Sequence, residues 1–293
     1  MSELQNKVML AGLTISVFSG EKVDRKVSEE VANSHNTTAA KAGKFSKRII
    51  NKVALEGIDA VAGRARALHY ERTLPWSDNA GRLLSITGFL DYTSEMGMLR
   101  SKFFAEVERF IQLYPRMIEE AKTRLNGMFD VNDYPDISGM HDRFAFDINI
   151  SPLPSGNTWF LDMAEEEMAI LRASVDQRCE NGIKEAIADV YGQVADVCKL
   201  MHEKLVSYEV DPKTGKVAGG VFRDSLVQNV AKLADLLPSL NLTDDPQLNK
   251  IGERMRNELC KFDAAALRAE PDFRNATASA ALDLYTLAST LRN

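Results

Sequence analysis

Residues 162–208, DMAEEEMAILRASVDQRCENGIKEAIADVYGQVADVCKLMHEKLVSY, decide the fold class. Apolar positions running from Met168 and Leu171 through Val175, Cys179, Ile183 and Val190 to Leu205 and Tyr208 recur at a mean of about 3.6 residues, the period of one face of an α-helix. Asp162 followed by Glu165 has the form of a capping box that opens the element. Unbroken at Gly182 and Gly192, such a helix is about 70 Å long at about 1.5 Å per residue. A compact chain of 293 residues is only about 50 Å across, so this segment predicts an elongated molecule.

A second stripe lies upstream, from Phe89, Tyr92 and Met96 through Phe103, Val107, Phe110 and Tyr114 to Met128, with a mean spacing of about 3.5 residues. Pro115 interrupts it and either kinks the helix or starts a new one. Between the stripes, residues 129–161 are rich in turn formers around the alternating run Phe144, Phe146, Ile148 and Ile150, a strand with Asp147 and Asn149 facing out. It pairs either with a strand at 13–18 or, as a hairpin, with 158–161. The fold class read from these patterns is mainly α: long antiparallel helical arms (86–128 and 162–208) with a small β element, elongated overall.

Three regions follow along the chain. Residues 1–85 hold the strand at 13–18, a helix near 24–32, a polar loop at 34–43 and a helix over 42–71, in which Gly57 and Gly63 are weak points or sites of close approach. Residues 86–208 form the long helical hairpin with its β insertion at 129–161. Residues 209–293 form a C-terminal helical region, with a hairpin at YEVDPKTGKV (208–217) and helices over 222–237, 243–262 and 272–291.

Composition excludes several classes of protein. With 45% hydrophobic and 27% charged residues the chain is neither wholly disordered nor collagen-like. No apolar run approaches the roughly 20 residues that span a bilayer, and 8–18 lacks a signal-peptide cleavage site, so a cytoplasmic protein without a membrane partner is expected. Cys179, Cys198 and Cys260 show no CxxC pairing and read as reduced packing residues. His35, His69, His141 and His202 show neither HxxxH nor HExxH spacing, so no metal and no cofactor are expected. Ala42 to Ser46 (AGKFS) lacks the first glycine and the preceding strand of a phosphate loop, and no GxSxG elbow occurs. Glu165, Glu166 and Glu167 are adjacent in sequence and read as a solvated face, so no catalytic residue is named.

Two segments stand out as candidate binding sites. The formal net charge is -6, yet no acidic residue falls between Glu30 and Glu56, where Lys41, Lys44, Lys47, Arg48 and Lys52 surround Phe45. This run is a candidate nucleic-acid site, in which cations displace counterions from phosphates and the ring stacks on a base. The plainer reading is a solvated helix face that pairs with acidic surface of this chain or a second copy. The segment RARALHYERTLPWSDNAGRLL (64–84) gathers Arg66, His69, Tyr70, Trp76 and Arg82 around a proline turn. It reads as an interaction surface of aromatic and arginine anchors, or as a hinge that docks Trp76 on the long helices.

HYERTLPWSDNAGRLL at 69–84, with FAFDINISPLP at 144–154 and LTISVFSG at 13–20, resembles an uncharacterised family of tailed-phage and prophage proteins over about residues 10–165. The resemblance implies work inside the host bacterial cytoplasm and brings no activity, cofactor or catalytic residue. Three functions are expected in order: a non-enzymatic helical homo-oligomer binding a phage or host protein; a protein of phage DNA metabolism using 41–52; and an enzyme with an unrecognised site.

Overall fold

Residues 7–76, 81–154, 165–210, 214 and 217–292 are described by a computed structural model, which is mainly helical with small antiparallel sheets. The elements run β1 (Val8–Ser16), β2 (Glu21–Asp24), α1 (Arg25–Ser34), α2 (Ala39–Ala42), β3 (Phe45–Arg48), α3 (Glu56–Arg72), β4 (Arg82–Ser85) and α4 (Ile86–Leu125). They continue with β5 (Ala145–Pro152), α5 (Glu165–Val206), β6 (Glu209–Val210), β7 (Val217–Gly219), α6 (Ser225–Leu240), α7 (Pro246–Arg254), α8 (Ala264–Ala269) and α9 (Pro271–Arg292). A π-helical turn, Met255–Leu259, prolongs α7. The chain divides into two compact units, each discontinuous in sequence: Met1–Gly12 with His69–Tyr92 and Asn149–Asn293, and Leu13–Leu68 with Thr93–Ile148. These boundaries differ from the three consecutive regions expected, because strands distant in sequence close both units.

The first unit is organised by α5. Of its apolar stripe, Val175, Cys179, Ile183, Val190, Val194, Met201 and Leu205 are all buried. The helix that takes most of this surface is α9, through Ala278, Ala281, Leu284 and Ala288, rather than the other long helix. Alanines on α9 let two long helices approach closely, a feature that a periodicity of large apolar residues does not reveal. Against the same core β4 pairs antiparallel with β1, Leu83 opposite Leu10 and Leu84 opposite Met9. The full sheet order is β4-β1-β5, so the strand around Phe146 takes the first of its two expected partners. The alternative partner, 158–161, and the capping box at Asp162 lie outside the described residues, as do Ser77, Asp78 and Asn79.

In the second unit α3 buries Ile58, Ala62, Ala65 and Leu68, and α4 buries Phe103, Val107, Phe110 and Tyr114. Phe103 and Phe110 meet Phe144 edge-on, with ring centroids 6.5 and 5.7 Å apart. Pro115 sits inside one continuous helix of 40 residues. Gly20, at φ +65°, turns the chain from β1 into β2, and its carbonyl accepts the N–H groups of both Ile49 and Ile50. A side chain there is strained by the backbone and meets Ile50 Cβ at 3.2 Å.

The clearest correction concerns 42–71. The helix expected over this stretch begins only at Glu56, and Phe45–Arg48 is a strand paired with β2, Lys22 opposite Lys47 and Glu21 opposite Arg48. Local propensity permits helix here; burial of Ile49, Ile50 and Lys47 against the rest of the unit selects the strand. Arg82–Ser85 is likewise a strand ahead of the long helix.

Candidate binding groove

The hairpin of β2 and β3 is fastened to the turn after α4 by one lysine. Lys47 is 6% exposed, and its Nζ lies 3.1 Å from Asp24 Oδ2 and 2.6 Å from Asp133 Oδ2. It also donates a 2.8 Å hydrogen bond to the Met128 carbonyl. Burial opposes the charge on Lys47, but hydrogen bonds and attraction from Asp133 and Asp24 outweigh it and hold the ammonium above the ordinary lysine range. Asp24 is held below the usual carboxylate range, first by the Val27 N–H that it caps and then by Lys47.

Strand geometry thus separates the five cations of the basic run. Lys47 faces inward and is committed to two carboxylates, so it leaves the set available to phosphate. Arg48 points to the other face of the ribbon, where Glu21 lies 3.6 Å away. Lys41 on α2, Lys44 before β3 and Lys52 after it are exposed, as is Phe45. A helix would have lined these side chains along one face; the observed segment does not.

The same hairpin brings forward cations that the sequence reading passed over. A groove of about 860 Å³ opens between the β2–α1 junction and residues 127–133. Lys22, Arg25 and Lys26 stand on its lip, all exposed, with no ion-pair or hydrogen-bond partner for their side chains among the described residues. Val23, Val27, Met128, Phe129 and Val131 supply apolar wall, and the Lys47 cluster closes the floor. Glu30 and Asp130 also line it, but Asp130 is engaged by the backbone N–H and side-chain amide of Asn132, each at 2.9 Å. The lining as a whole carries four cations, Lys22, Arg25, Lys26 and Lys47, against four carboxylates, Asp24, Glu30, Asp130 and Asp133, but Lys47 is spent on Asp24 and Asp133, so the cations without a partner are the three at the lip. Their signal in the sequence is the pattern KVDRKV at 22–27, in which a capping aspartate follows one lysine and precedes an arginine–lysine pair.

The second candidate surface is largely interior. Trp76 packs on α5 where Gly182 leaves room: a Cβ at that glycine would lie 2.5 Å from the indole Cζ3. Trp76 is 9% exposed, so little of its indole is open to a partner. His69 is buried, its Nδ1 2.8 Å from the Tyr92 hydroxyl. Burial, aided by the charge of Arg82, pushes the His69 pKa down to about 4, and burial pushes Tyr92 up to about 12. Arg82 donates to Thr73 Oγ1 at 2.8 Å and to the Thr73 carbonyl at 2.9 Å, and lies 4.7 Å over the ring of Tyr70. Of this group Tyr70, at 62%, and Arg66 are exposed. Arg66 belongs to the other unit, where it donates to the Ile15 carbonyl at 3.3 Å.

Among the described residues no group of three or more His, Cys, Asp or Glu side chains is placed to hold a metal ion, and no helix is long and apolar enough to cross a membrane. Compared with protein-family models, curated proteins and solved structures, the chain matches none.

Proposed function

We propose that this is a non-enzymatic binding protein of phage or prophage origin, acting in the host cytoplasm, whose groove in the second unit holds a segment of a phage or host protein. The observation that carries the reading is the set of free cations, Lys22, Arg25 and Lys26, at the lip of a groove with apolar walls. That combination suits an acidic segment bearing one or two apolar side chains: carboxylates steer it to the lip, and desolvation of the apolar groups holds it. A phosphate backbone is the poorer fit, because the nearby run 41–52 has one lysine buried and one arginine paired.

The test is fluorescence anisotropy of a labelled peptide of alternating glutamate and phenylalanine, beside single- and double-stranded DNA oligonucleotides, over a salt series. Peptide binding that is lost in the variant K22E/R25E/K26E supports the reading. DNA binding with a log–log salt slope of about -3 to -4, abolished by changing Lys41, Lys44, Arg48 and Lys52 to alanine, replaces it with the nucleic-acid reading.

A further inference from the structure

The occupant of the groove has to combine clustered negative charge with apolar side chains on one accessible face. The chain itself carries such a segment. Glu165, Glu166 and Glu167 form its longest acidic run, followed by Met168, Ala169, Ile170 and Leu171 without an intervening cation. In the structure this is about the first two turns of α5. Glu165, Glu166, Ala169 and Ile170 are exposed there, and Ile170 is 72% exposed although it lies in the longest helix of the chain. Glu166 and Ile170 are one turn apart and share a face, so a carboxylate and a bare aliphatic side chain are presented together.

We infer that the start of α5 in one copy docks in the Lys22–Arg25–Lys26 groove of a second copy. The inference rests on reading that groove as a site for a protein segment. Both halves are complementary in kind: glutamates against unpaired cations, and Ile170 with Ala169 against Val23, Val27 and Val131. They are also complementary in the wider charge balance, since residues 21–52 carry eight Lys or Arg against four Asp or Glu in a chain of net charge -6. Because the segment and the groove are different surfaces, the contact is heterologous. After docking, one copy retains an unused groove and the other an unused segment, and assembly propagates into a ring or a filament.

The experiment uses the full chain, with mass measured by light scattering and sedimentation across protein concentration at low and high salt. Wild-type protein is expected to gain mass with concentration at low salt, and to lose that gain as salt screens the lip. Variant K22E/R25E/K26E keeps its segment but loses its groove; variant E165K/E166K keeps its groove but loses its segment. All five side chains are exposed, so neither variant alters the core. Each alone is expected to need about tenfold or more higher concentration to assemble. Mixed one to one, they form a species of twice the 32.6 kDa chain mass and no larger, since only one contact can be made.

Wild-type protein that stays monomeric to its solubility limit overturns the inference. So does assembly that persists in either variant, which places the contact elsewhere. If the glutamate–phenylalanine peptide still binds the monomer, the groove reading stands and only self-docking falls; if the peptide also fails, both fall.

Discussion

Replacing Lys47 by methionine tests the fastening of the β2–β3 hairpin. The substitution preserves the aliphatic stem and removes the ammonium, leaving Asp24 and Asp133 facing each other with side-chain exposures of 14% and 15%. Losing one partner of a dry ion pair costs about 3–5 kcal/mol. Water reaches both carboxylates here, and Asp24 keeps its bond from the Val27 N–H, so about 2–4 kcal/mol is expected. That is a large share of the roughly 5–15 kcal/mol that holds an ordinary domain together. The assay is urea unfolding of the wild type, Lys47→Met, Asp133→Asn and the double variant. Asp133→Asn should cost about 1 kcal/mol or more with the lysine present and much less without it, a coupling that marks direct contact. The pH dependence has a definite sign. The contribution of Asp24, whose folded pKa is lowered, is present above its unfolded value and disappears as pH falls through the folded one. The contribution of Lys47, whose folded pKa is raised, is present below its unfolded value and disappears as pH rises through the folded one. Between these limits the difference between wild type and Lys47→Met is flat. A loss below about 0.5 kcal/mol, or strict additivity of the two single variants, refutes the reasoning.

Gly182→Ala drives a methyl into the indole of Trp76 and is expected to lower stability by about 1–3 kcal/mol, read by thermal unfolding with Trp fluorescence. His69, neutral when folded, takes up its proton in the unfolded chain near pH 6.5 but only near pH 4 in the folded one. Stability should therefore fall by up to about 3 kcal/mol between those values, and His69→Gln should flatten that part of the urea-midpoint profile. Cys198 is buried, and its thiol is pushed up to about 12; it should resist iodoacetamide in the native protein at pH 8 and react after unfolding, as mass spectrometry of the alkylated peptides would show.

The long helices were legible because their pattern repeats over ten or more turns: the stripe from Val175 to Leu205 is buried as its spacing requires. The alternating run at Phe144 to Ile150 was legible for the same reason at a period of two. Short elements were not. Phe45–Arg48 becomes a strand only because β2 is there to pair with it and because Lys47 finds two carboxylates, one of them 86 positions away in sequence. No window of local sequence contains Asp133. The partner of α5 was misread because α9 presents alanines, which add little to an apolar stripe yet allow the closest helix approach. The basic run stands out by density along the chain, whereas the cations that line the groove lie where β2 meets α1, at the spacing i, i+3, i+4 and split by a capping aspartate.

The division of the chain bears on how the protein emerges from a ribosome. The second unit is complete once residue 148 has been made, so it can fold while synthesis continues. The first cannot: its opening strand and β4 appear early, but α5, α6 and α9 follow much later. Trp76 is translated 106 residues before the glycine that accommodates its indole. At about 5–20 residues per second the ring waits roughly 5–20 s without its cover. During that interval the nascent chain displays an indole beside an unfinished sheet, a feature that holdase chaperones engage. Slowing translation between Trp76 and Gly182 should therefore lower the soluble yield more than the same slowing after α9 has begun.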